Sequence, residues 1–207
     1  MNIKAVVFDY GKVICLPPPT ENREALLALT GLPVARLEEL EQKHRSEYDR
    51  GTYDGRTYYK TLLEDGGIFL EDSVLEKLAR LDSEGWKQID PGTVTLMRDI
   101  KKLGLPIGIL SNMPREFLTW ARVHIPILGE TGVAVFSCDV NAVKPEPRIY
   151  EILRDRLGCE FGEIVFFDDV PVNAARAAEL GIRAFIWKNS AEAREVLRQT
   201  GGVLAGL

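Results

Sequence analysis

Ile3 to Phe8 is a short apolar run with β-branched residues, interrupted only by Lys4, and it stops at Asp9-Tyr10-Gly11. A short run without alternation predicts a strand buried on both faces, with polar chemistry at its carboxyl end. The pattern recurs at Leu105 to Leu110 before Ser111-Asn112, at Val133 to Phe136 before Ser137, and at Ile164 to Phe167 before Asp168-Asp169. A fifth run, Ile182 to Trp187, closes the series. Between the runs the apolar spacing changes to three and four, predicting helices over Pro91 to Leu103, Pro145 to Leu157 and Val170 to Leu180. Each stops at a glycine (Gly104, Gly158, Gly181) that can cap its helix in the left-handed region. Strand and helix in alternation predict an α/β fold, a doubly wound parallel sheet.

Residues 16–89 follow a different pattern. Pro17-Pro18-Pro19 cannot continue a central strand and makes a stiff exit from the first one. Four helix-like segments follow, Glu21 to Leu29, Val34 to Arg50, Gly55 to Glu64 and Asp72 to Glu84, with no convincing strand among them. The expected organisation is a catalytic core of residues 1–15 and 90–207, with residues 16–89 inserted after the first strand as a small helical-bundle cap that acts as a lid.

Composition narrows the functional classes. Of 207 residues, 45% are hydrophobic and 28% charged, ordinary for a soluble globular chain and enough to build a core. The net charge of −5 argues against a nucleic-acid partner. Three scattered cysteines, Cys15, Cys138 and Cys159, and two histidines without a C-x-x-C pair speak against a structural zinc site and a disulfide framework. Ala5 to Phe8 is too short for a signal-peptide core or a membrane span. The expectation is a cytoplasmic protein with a small-molecule substrate and no membrane contact.

Ligands of open parallel sheets bind beyond the carboxyl ends of the strands. Four of the five runs present a polar residue there: Asp9, Ser111, Ser137 and Asp168-Asp169. Asp168-Asp169 before Val170-Pro171 reads equally well as a helix cap. Asp9 does not, because Tyr10-Gly11-Lys12-Val13 continues as a turn and a further apolar pair. Three carboxylates at one sheet edge would repel one another without a cation, and a hard cation such as magnesium suits them.

These motifs, in this order, resemble those of the haloacid dehalogenase-like superfamily, which is mostly phosphatases. Val7-Phe8-Asp9-Tyr10-Gly11-Lys12-Val13 is similar to its first motif and Leu110-Ser111-Asn112 to its second. Val143 to Tyr150 is similar to the third, and Phe166-Phe167-Asp168-Asp169 with Asn173 to the fourth. The resemblance covers nearly the whole chain and implies a Rossmann-like core. It implies Asp9 as the nucleophile that forms an aspartyl-phosphate, and Lys144 and Ser111 as partners of the phosphoryl oxygens. It also implies Mg2+ held by Asp9, the Gly11 carbonyl and Asp169 with Asp168 close by, and Asn112 and Asn173 as orienting, substrate-side residues.

Most phosphatases of that superfamily carry a second aspartate two positions after the nucleophile, as general acid; here Gly11 stands there. Its loss typically costs about a hundredfold to ten-thousandfold. Three readings follow. A phosphatase for good leaving groups, such as a sugar 1-phosphate, is favoured, because the sequence looks closest to the bacterial glucose-1-phosphate phosphatase subgroup, which also has Gly at this place. A 2-haloacid dehalogenase needs no leaving-group proton, but the adjacent acidic pair counts against it. A degenerate phosphate-gripping or regulatory module comes third. In the lid, Arg50 is the candidate for reaching a phosphate or sugar hydroxyl, while Tyr58, Tyr59 and Trp86 read either as contacts or as bundle packing.

Overall fold

The computed structural model describes residues 2–207. Five parallel strands form one sheet in the order β3-β2-β1-β4-β5: β1 is Ala5–Phe8, β2 Ile107–Ser111, β3 Val133–Phe136, β4 Ile164–Asp168 and β5 Arg183–Ile186. The elements run β1, α1 (Thr20–Thr30), α2 (Val34–Arg50), α3 (Gly55–Asp65), α4 (Asp72–Gly85), α5 (Pro91–Lys102), β2, α6 (Arg115–His124), α7 (Pro126–Glu130), β3, α8 (Ser137–Val140), α9 (Pro147–Leu157), β4, α10 (Pro171–Glu179), β5 and α11 (Ser190–Thr200).

The apolar runs have a direct structural cause. Val6, Phe8, Ile109, Val165 and Phe167 enter one cluster with α5, α6 and α11, while Val7, Leu110, Ile164 and Phe166 enter another with α9 and α10. Both faces of each inner strand are covered, so no position is left for a solvated residue. Phe8 stacks on Phe167 at 5.6 Å between ring centroids, with Trp187 edge-on to both. Burying each such ring contributes roughly 1.5–3 kcal/mol.

Several boundaries differ from expectation. β1 starts at Ala5 rather than Ile3, and β2 at Ile107 rather than Leu105. The third-motif helix starts at Pro147, with that proline in its first turn, not at Pro145. Helices α7, α8 and α11 were not foreseen. The first two are single turns, and α11 buries only Ala193 and Leu197, too few apolar positions to mark a periodic stripe.

Helices α1 to α4 share a cluster of their own, built on Leu37, Leu40, Leu62, Leu78 and the tyrosines. Tyr48 and Tyr58 stack at 4.6 Å, and Tyr59 meets Tyr58 edge-on, so these rings pack the helices. The chain leaves and re-enters the sheet side by side. Leu16 N donates to Gln88 O at 2.7 Å, and Asp90 N to Ile14 O at 2.9 Å, with Cys15 and Ile89 forming an antiparallel bridge. Among the described residues, no helix is long and apolar enough to cross a membrane.

Candidate active site

The β1–β4 register sets Phe8 beside Phe167, so the residues that follow, Asp9 and Asp168, emerge together at the carboxyl edge of the sheet. Asp9 is 6% exposed and Asp168 fully buried. Between them lies the Lys144 ammonium, 2.8 Å from Asp9 Oδ1 and 2.6 Å from Asp168 Oδ2. The loop carrying Lys144 is clamped from β2, where Asn112 Oδ1 accepts from Lys144 N at 2.8 Å and Asn112 Nδ2 donates to Lys144 O at 3.0 Å. Asp168 is saturated. Its Oδ1 accepts from Val170 N at 2.8 Å, and Asn173 Nδ2 reaches both oxygens at 3.2 and 3.3 Å.

Carboxylate oxygens of Asp9, Asp168 and Asp169 all lie within 4.8 Å of one another. Burial pushes Asp9 up to about 7, against the pull of Lys144 and with a push from Asp168. Asp169 is raised by burial and then by Asp168. Burial alone would lower Lys144, but Asp9 and Asp168 outweigh it and hold the ammonium charged. Lys12, 3.9 Å from Asp169, is the other nearby cation. Three carboxylates against one fully buried lysine leave negative charge in excess, the condition a divalent cation relieves. The oxygen-only donor set at one sheet edge fits magnesium.

A cavity of about 620 Å³ opens above this cluster. Its floor is Asp9, Gly11, Lys12, Ser111, Lys144 and Asp169; its roof comes from α1, α2 and α4 through Leu26, Arg45, Asp49, Asp82 and Trp86. Ser111 Oγ donates only at a long 3.4 Å, to Asn112 O, a weak bond that a ligand oxygen could replace. A Cβ on Gly11 would meet only Trp86 Cζ3, at an ordinary 3.5 Å, and Tyr10 Oη ties the same tryptophan's carbonyl at 2.8 Å.

The foreseen residues do not all share one role. Asp9, Ser111, Lys144, Asp168 and Asp169 come together at the strand ends. Asn112 and Asn173 line the cavity, yet their amides are taken up by Lys144 and Asp168, so they position the cluster from behind. Arg50 requires a correction, because it does not line the cavity. Its guanidinium pairs with Glu146 at 2.5 Å and donates to Asn141 O at 3.2 Å, joining α2 to the Lys144 loop. Arg45, Asp49 and Asp82 were missed. Arg45 Nε donates to Asp49 Oδ1 at 2.9 Å, and Arg45 Nη1 reaches Asp82 at 3.1 Å.

Residues 3–181 match a family model described as haloacid dehalogenase-like hydrolase. Over 228 aligned residues the chain is 30% identical to Phosphatase MT3486 of Mycobacterium tuberculosis, covering 100% of this chain and 99% of that one. It is 23% identical to the (S)-2-haloacid dehalogenase of Pseudomonas putida, over 87% of this chain and 82% of that one. Its backbone superposes on the HAD family enzyme bt-2542 of Bacteroides thetaiotaomicron, solved in complex with magnesium and inorganic phosphate. That match has a TM-score of 0.70 at 19% identity, covering 91% and 96% of the two chains.

Proposed function

The chain belongs to the haloacid dehalogenase-like hydrolases, and from that premise we propose that it is a magnesium-dependent phosphatase for a small phosphorylated metabolite. The observation that carries this is Lys144, buried between Asp9 and Asp168 on the floor of a cavity and flanked by a third carboxylate. An ammonium has three donors; two go to Asp9 and Asp168, and the third is left for a phosphoryl oxygen.

Asp9 and Asp169, with the Gly11 carbonyl, would hold the magnesium, and Asp168 would hold Lys144. When bound, magnesium supplies the positive charge that lets an anionic nucleophile approach a phosphate. The Asp9 carboxylate attacks phosphorus and forms an aspartyl-phosphate, which water then hydrolyses. Lys144 and the Ser111 hydroxyl meet the charge that develops on the phosphoryl oxygens. Asn112 keeps Lys144 from following its load. Residues 16–89 act as the cap over this chemistry and exclude water.

Gly11 favours a substrate whose oxygen leaves easily, and the finer reading is a sugar 1-phosphate, whose anomeric oxygen is the more acidic. The test is phosphate release from a panel of esters with magnesium, glucose 1-phosphate beside glucose 6-phosphate. Turnover that prefers the 1-phosphate and stops with chelator supports the reading. The same glycine favours a second reading, 2-haloacid dehalogenation, which requires no leaving-group proton. Chloride released from 2-chloropropionate, with no phosphate released from any ester, would establish it instead.

A further inference from the structure

The floor of the cavity has no carboxyl left to protonate a departing oxygen. Asp9 is the nucleophile, both oxygens of Asp168 are engaged, and Asp169 belongs to the cation cluster. Position 11 is glycine. The carboxyls left to protonate a more basic leaving oxygen are those of the roof, where Glu41, Asp49 and Asp82 line the cavity.

These three differ in what they hold. Glu41 receives Arg23 Nη1 on both oxygens at 2.8 Å. Asp82 receives Arg45 Nη1 on both, and Trp86 Nε1 at 3.4 Å on Oδ1. Asp49 accepts at Oδ1 alone, from Arg45 Nε. Its Oδ2 takes no hydrogen bond from any described residue. One guanidinium serves two enclosed carboxylates, so the pair carries one negative charge more than its cation.

Position separates them further. The Asp49 carbonyl accepts from Ser137 Oγ at 2.5 Å, and the same Oγ accepts from Met113 N at 2.8 Å, two residues beyond Ser111. Arg50 next to it grips Glu146, two residues beyond Lys144. Asp49 is thus fastened to both loops that meet the phosphoryl group. Among the described residues, no hydrogen bond joins the Glu41 or Asp82 side chain to the sheet side.

We propose that Asp49 is the proton donor to the leaving oxygen, supplying from the helical wall the acid that position 11 lacks. The inference rests on the phosphatase reading. In the step, a bond forms between an Asp9 oxygen and phosphorus, the bond from phosphorus to the leaving oxygen breaks, and the Asp49 proton passes to that oxygen. The Asp49 carboxylate that results faces Arg45. Burial raises the Asp49 pKa against the pull of Arg45, with Asp82 pushing the same way as burial and Lys144 opposing, so the protonated form is held to higher pH than in a free aspartate.

The experiment compares kcat/KM for p-nitrophenyl phosphate, whose leaving group needs no proton, with that for alkyl esters (glycerol phosphate and glucose 6-phosphate). This parameter reports the steps through leaving-group departure, not the later hydrolysis. Asp49→Asn should lower the alkyl values by about 10²–10³ and the aryl value by less than about tenfold. Adding Gly11→Asp, whose Cβ meets only Trp86 at an ordinary distance, should restore alkyl turnover. Equal losses on both ester types would overturn the assignment and leave the phosphatase reading standing, as would wild-type turnover confined to the aryl ester. No hydrolysis of any ester by the wild type would overturn both.

Discussion

Across the cavity two walls face each other, and each is organised around one cation held by two carboxylates. On the sheet side Lys144 sits between Asp9 and Asp168, with side-chain exposures of 1, 9 and 0%. On the helical side Arg45 sits between Asp49 and Asp82, with exposures of 30, 10 and 12%. The arithmetic of charge is the same and the solvent is not. The sheet-side set lies where electrostatic interactions are strong and a missing partner is costly; the helical set keeps a wet cation and a looser hold.

The comparison can be attacked from its strongest member downward. Asp9→Asn removes the nucleophile while keeping the shape, and phosphate release should fall by at least about 10⁴-fold. Lys144→Met leaves Asp9 and Asp168 facing each other without their cation. Urea unfolding with chelator present should show a loss of about 3–5 kcal/mol. Arg45→Met makes the equivalent cut on the wetter wall, and the same measurement should show about 1–3 kcal/mol. A loss there equal to that of Lys144→Met would erase the distinction between the walls. Saturating magnesium should stabilise the wild type by about 1–3 kcal/mol in thermal unfolding, and Asp169→Asn should abolish most of that gain. Arg50→Ala should cost less than about 1 kcal/mol, because its Glu146 partner is largely solvated. It should also leave KM within about threefold, since the residue lies outside the cavity.

The sheet-side wall was legible because each of its groups sits one step beyond an apolar run or in a proline-marked loop. Strand register, which local sequence dictates through burial on both faces, then does the assembling. The helical wall had no such punctuation. Arg45 and Asp49 are four residues apart on α2, and in sequence that spacing is indistinguishable from an ordinary solvated helix pair. Asp82 lies 37 residues beyond Arg45, and the packing of α4 on α1 and α3, with α3 in turn on α2, brings it in. The reading of Arg50 missed the cavity-lining residue by one position. On a helix that is a rotation of about 100°, enough to turn a side chain from the cavity to the Lys144 loop. Asn112 and Asn173, expected as orienting residues on the substrate side, line the cavity with their amides bonded to Lys144 and Asp168. A polar side chain at a strand end looks alike whether it meets a ligand or the residue that meets one.

The paired exit and return of the helical segment, Leu16 with Gln88 and Asp90 with Ile14, makes the molecule modular in a practical sense. A segment that departs and arrives through two adjacent strands of backbone has a single covalent doorway, and its remaining ties to the sheet side run through a few named groups, Asp49 to Ser137 and Arg50 to Asn141 and Glu146. A helical bundle whose ends stand as close could be transplanted there provided that it also met Ser137 and Glu146. The proposed floor chemistry and the helical roof could then be exchanged as separate parts, and the proton donor we assign to Asp49 would travel with the roof.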